Sequence, residues 1–135
     1  MEIIQFDELE LNAVEQDGPN AHWLAGFPFS SNRPGETMME SEDYTVVYNE
    51  LNPGARIGKH RDAADELLIV LAGTVEAVVG SETATIDAGT LTVIPADTDH
   101  SVRNAGSETA RMVGVFASAP ADSTFDSEPI ISDKR

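Results

Sequence analysis

A chain of 135 residues is the size of one domain and can bury a core without a covalent staple. It has no cysteine, which excludes disulfides and thiolate metal sites and leaves His, Asp, Glu and Asn to hold any metal. Against 8 Lys+Arg stand 24 Asp+Glu, a formal net charge of −16, and a field of that sign repels nucleic-acid phosphates and anionic lipid heads.

Neither nucleic acid nor membrane is therefore an expected partner. The acids are scattered and 41% of the residues are hydrophobic, which argues for a folded domain over a disordered acidic tail. Lysine occurs only at Lys59 and Lys134. An acidic surface with so few lysines suggests adaptation to high salt, where screening relieves self-repulsion. The opening "MEIIQFDELE" lacks the apolar stretch of a signal peptide. Nothing approaches the roughly 18 consecutive apolar residues of a membrane span, so a cytoplasmic location is expected.

In chain order, Phe6–Gly18 suggests a short turn or helix that stops at Gly18-Pro19. The segment Ala21–Glu36 concentrates Trp23, Phe27 and Phe29 among Pro, Gly and Ser. It reads as a long loop or arm whose aromatics cap a barrel, pack across a dimer or form a substrate lid. From Tyr44 onward, short runs rich in Val, Ile and Thr alternate with turn residues, the mark of a β-sandwich or barrel. The runs are Tyr44–Leu51, Glu66–Gly73, Thr74–Gly80, Thr83–Asp87, Thr90–Pro95, His100–Gly106 and Thr109–Phe116. The Ala72-Gly73 junction reads as a tight hairpin. "ELLIVL" is apolar on both faces, so one face meets the core and a partner subunit is expected to cover the other. Pro129–Ser132 suggests an edge strand in the tail.

Candidate chemistry gathers in two places. His60, Asp62 and Glu66 sit at the head of the apolar run, and His100 and Asn104 share one parity forty residues later. Arg56 shares parity with His60 and offers a cation for an anionic substrate. Tyr44 and Tyr48 share one face of their strand and are candidate pocket residues. Arg103 falls on the parity opposite His100, Arg111 is undecided, and His22 is expected to be structural.

Around these residues the spacing resembles the two motifs of the cupins. The first motif runs Gly54, five residues, His60-Arg61-Asp62, three residues, Glu66, six residues and Gly73. Asp62 stands where the family carries a second histidine. The second runs Gly89, five residues, Pro95-Ala96-Asp97, two residues, His100, three residues and Asn104. Asp97 replaces a glycine there, a mild change because Asp tolerates left-handed backbone. The resemblance implies an all-β, single cupin barrel of jelly-roll form. Residues 44–118 would be its core, 1–43 an arm on the barrel or a dimer interface, and 119–135 a tail.

It also implies a divalent metal on His60, Glu66 and His100. Either Asp62 binds as a fourth ligand, or its shorter side chain leaves a two-histidine, one-carboxylate set with open positions. Fe or Mn is favoured by the carboxylates, with Zn and Ni also compatible. The function expected is a dioxygenase-type oxidoreductase on a small organic substrate. The alternatives are an isomerase or lyase with Asp62 as catalytic base, or a non-catalytic binding or sensor domain. A homodimer is expected.

Overall fold

The computed structural model describes residues 1–29, 37–39 and 41–134. After a single 3-10 turn at Phe6–Glu8 it is built from strands: β1 Asn12–Glu15, β2 His22–Phe29, β3 Thr37–Met39, β4 Thr45–Leu51, β5 Arg56–Asp62, β6 Glu66–Ala72, β7 Thr74–Val79, β8 Glu82–Asp87, β9 Thr90–Ile94, β10 His100–Asn104, β11 Ala110–Phe116, β12 Ser123–Phe125 and β13 Ile130–Lys134. They form two sheets. The larger runs β13-β1-β2-β4-β11-β6-β9 with β3 beside β2, and the smaller runs β12-β5-β10-β7-β8. Pairing is antiparallel apart from β2 with β3, and the two sheets make a jelly-roll barrel. Among the described residues no helix is long and apolar enough to cross a membrane.

The core follows from strand alternation. Val47, Leu51, Leu68, Val70 and Met112 of the large sheet and Ile57, Val75 and Val102 of the small sheet are buried in one cluster. Each such side chain contributes about 1.5–3 kcal/mol of transfer free energy. The outer face of β4 and β11 is also covered. Tyr48 and Val113 are buried there under Leu9 and Leu11, and Phe6 stacks on Tyr48 at 5.0 Å. The N-terminal segment that suggested a turn or helix is thus a 3-10 turn, this apolar cover and then β1.

Two further expectations are corrected. As far as Phe29, the aromatic segment is a strand, because Trp23, Ala25 and Phe27 alternate inward with Leu24 between them. Its continuation, 30–36, lies outside the described residues. Pro28 does not break it, since the ladder to β4 is irregular between Gly26 and Phe29. The Ala72-Gly73 junction is no hairpin. β6 pairs with β11 and β9, while β7 pairs with β10 and β8, so the chain changes sheets there. Gly73 has φ 79, and a Cβ on it would stand 2.9 Å from Ala110 Cα. Only glycine lets the backbone turn that corner against β11. The tight hairpin is one strand later, where Val79 pairs with Glu82.

Candidate metal centre

Antiparallel pairing of β5 with β10 sets His60 directly opposite His100. Between His60 and Ile57 the ladder slips: three steps along β5 match the two steps from His100 to Val102. This bulge turns Ile57 and His60 to the same side despite their opposite parity. Gln16 holds it, its side-chain oxygen accepting from the Gly58 N–H at 2.8 Å. A Cβ on Gly58 would run into that same side chain.

The imidazoles are fixed in one sense. His60 Nδ1 lies 2.8 Å from the Gly58 carbonyl and His100 Nδ1 2.9 Å from the Thr98 carbonyl. A carbonyl only accepts, so each Nδ1 carries the proton and Nε2 is turned inward. Phe125 stacks on His60 at 4.6 Å. Asp62 completes the group, its Oδ1 accepting from the Ser123 hydroxyl. Asp62 Oδ2 then lies 3.4 Å from His100 Nε2 and 3.9 Å from His60 Nε2. Glu66 Oε1 approaches His100 Nε2 at 3.5 Å. The Glu66 carboxylate rests over Gly114, where a side chain would displace it.

Donors each about 2.0–2.2 Å from one ion stand roughly 3.0–3.6 Å apart, close to these separations. His60, Asp62 and His100 offer donor atoms all within 4.8 Å of one another and can hold a metal ion. The residues fit such an ion on a second ground. Asp62 Oδ2 and His100 Nε2 are fully buried and neither makes a hydrogen bond, an arrangement that costs free energy unless something binds there. The charges agree. Burial opposes ionisation of Asp62, but His100, His60 and Ser123 outweigh it and hold the carboxyl below the usual range. Burial likewise opposes the His100 imidazolium, yet Asp62 and Glu66 outweigh it and push His100 up to about 10. Without a metal, a proton takes the place of the cation.

The centre forms the floor of a cavity of about 270 Å³. Trp23 and Phe27 of β2, Phe116 of β11 and Phe125 of β12 supply aromatic walls. Asn49 adds a polar side chain from β4. Asp122 and Glu128 are solvent-exposed and line the same cavity, which puts them at its mouth.

Of the residues singled out from sequence, His60, Asp62, Glu66 and His100 come together. Arg56 does not join them. The bulge sends it outward, where its Nε donates to the Pro19 carbonyl at 2.9 Å. Neither tyrosine lines the cavity. Val47 and Asn49 take the inward positions of β4, so Tyr48 points outward. Its hydroxyl donates to Glu50 at 2.6 Å and accepts from Arg111 at 2.5 Å. Tyr44 precedes the strand, exposed, edge-on to Phe29. Arg103 pairs with Glu76 on the outside, and His22 is exposed. Asp97 has φ 56, in the left-handed region expected for it. Asn104 is a clamp: its amide donates to the Leu51 and Glu108 carbonyls, and its oxygen accepts from the Gly106 N–H. Sequence reading missed Ser123, Phe125 and Gln16. Each reaches the centre through pairing or contact far along the chain and carries no local signal.

Solved structures share this fold. Bacillus subtilis oxalate decarboxylase, described with Mn(II) centres, superposes with TM-score 0.68 and 18% identity over 83% of this chain and 30% of that one. An oxalate oxidase in complex with the substrate analogue glycolate gives 0.60 and 22%, over 62% and 46%. A conserved Streptococcus pyogenes protein of unknown function gives 0.57 and 21%, over 76% and 80%. This chain spans less than half the length of either oxalate enzyme, and at these identities the likeness is one of fold. No curated protein matches the sequence. The family described as Cupin domain matches residues 47–116, more than half the chain and the span that holds all four clustered side chains. The chain belongs to the cupin family.

Proposed function

We propose that this cupin binds one divalent transition metal through His60, Asp62 and His100, with Glu66 as a further ligand, and that it is a metal-dependent enzyme acting on a small organic molecule in the adjoining cavity. The observation that carries the reading is the convergence of two buried Nε2 atoms and one buried carboxylate oxygen at the cavity floor. Two carboxylates among four ligands favour hard ions such as Mn or Fe. When bound, the ion would supply Lewis acidity or redox chemistry to an oxygen of the substrate. The protein's share is orientation and exclusion of water. Gly58 and Thr98 fix the imidazoles, Ser123 fixes Asp62, and the aromatic walls enclose the ligand. Among the structural neighbours, the oxalate oxidase lends support to a dioxygenase-type oxidoreductase as the reaction class, whereas the oxalate decarboxylase lends support to the lyase alternative.

The test is elemental analysis of protein prepared without a metal-binding tag or chelator, for wild type and His100→Ala. One transition metal per chain in the wild type and none in the variant is expected. Metal retained in both, or in neither after reconstitution with Fe, Mn, Ni and Zn, overturns the assignment. Oxygen consumption by the loaded protein then separates the oxidoreductase from an isomerase or lyase.

A further inference from the structure

We infer that the cavity selects against organic anions and takes a small molecule carrying a positively charged amino group, with Asp122 and Glu128 at the mouth as specificity-determining residues. The inference rests on the reading of this cavity as the substrate site. At about 270 Å³ the space lies just below the roughly 300–1,000 Å³ of typical ligand pockets, so the molecule is small.

Charge decides its class. Two imidazoles with the carboxylates of Asp62 and Glu66 offset a divalent ion completely. A histidine in place of Asp62 would leave the centre with one net positive charge. The aspartate therefore removes the attraction that the metal centre would hold for an anion. Beyond the floor, Asp122 and Glu128 place two more carboxylates at the opening. Among the described residues no Lys or Arg lines the cavity. The whole chain adds a field of −16, which low-dielectric walls focus into a cleft. The walls do not oppose a cation, since Trp23, Phe27, Phe116 and Phe125 line the cavity and aromatic rings are compatible with one. An anion such as oxalate or glycolate meets none of these features favourably. The buried, unbonded Asp62 Oδ2 and His100 Nε2 mark the floor as a place that receives a ligand.

Three probes of matched shape test the inference: phenethylamine, phenethyl alcohol and phenylacetate, which are cationic, neutral and anionic at neutral pH. Calorimetric titration is run at one fixed salt concentration on manganese-loaded and metal-free protein, with metal content determined on the same samples. Phenethylamine is expected to bind tightest and phenylacetate weakest in both forms. In the Asp122→Asn/Glu128→Gln double variant, phenethylamine should lose about three- to tenfold in affinity, more than the alcohol loses. Glu128→Gln alone should show part of that loss. Phenylacetate binding as tightly as phenethylamine, no detectable phenethylamine binding, or an unchanged ratio of amine to alcohol affinity in the double variant each overturns the inference. A protein that takes up no metal yet still prefers the amine refutes the metal centre and leaves the charge selection standing. One metal per chain with phenylacetate preferred does the reverse.

Discussion

His60, His100 and Asp62 are each oriented by a partner that does not itself face the ion. Ser123 is the most exposed to test, because its hydroxyl bonds the Asp62 oxygen on the far side from the histidines. Ser123→Ala should leave the fold intact and weaken metal binding by about 10–100-fold. Competition with a chelator of known affinity measures it, and an unchanged constant would show that Ser123 orients nothing. Proton and metal compete for His100, so metal uptake should fall as pH falls. Away from the centre, Tyr48 carries its own pH dependence. Burial first, then the hydrogen bond to Glu50, push its hydroxyl up to about 12, against about 10 in an unfolded chain. The folded state keeps this proton longer, so the contribution is full below pH 10 and is lost as pH rises toward 12. Its upper limit is about 2–3 kcal/mol. Urea unfolding of wild type and Tyr48→Phe across this range should show the stability gap closing as pH rises. A gap independent of pH would separate Tyr48 ionisation from folding.

Among the elements, the crossing from β6 to β7 and the two tail strands shape the site. Gly73→Ala adds a side chain at φ 79 and presses it on the Ala110 backbone. The strain alone costs about 1–3 kcal/mol, and a corresponding drop in the urea midpoint is expected. No change in midpoint would mean that the corner relaxes freely. The tail does more than add the edge strand expected near Pro129–Ser132. β13 pairs with β1, and β12 lays Ser123 against Asp62 and Phe125 against His60. β2, expected as a loop or arm, supplies Trp23 and Phe27 to the aromatic lining, where Trp23 stacks on Phe125.

At the scale of the molecule, 24 acids against 8 Lys+Arg set up a self-repulsion that salt screens. The melting temperature should therefore rise from low to molar salt, and equal values would remove the case for salt adaptation. One surface differs from the rest. Leu67 pairs with Val93 and Ile69 with Leu91 on β6 and the edge strand β9, and Leu67, Leu91 and Val93 are 40%, 53% and 56% exposed. This apolar stripe is where two such acidic molecules can meet with least repulsion, and a homodimer through it is the expectation. Light scattering at molar salt should give a dimer mass for wild type and a monomer for Leu91→Asp/Val93→Asp. A monomeric wild type would refute it.

The sequence by itself determined the β-rich run from Thr45 to Phe116 and the kinship of His60, Glu66 and His100. Period-two patterning is local, and motif spacing survives in one dimension. Only the tertiary structure decided which side of the barrel the other candidates face. The bulge that expels Arg56 depends on the partner strand β10, and the outward turn of Tyr48 depends on which face of β4 meets the cavity. The Asp62 position shows the same division. Its side chain looked short from the motif alone, yet the structure brings it to the centre of the cluster, because β12 and β10 close in from either side of β5. Phe125 and Ser123 come to the cavity by pairing with β5, about half the chain away. Long-range strand order leaves no period in the sequence, and so the floor of the site was legible while its walls were not.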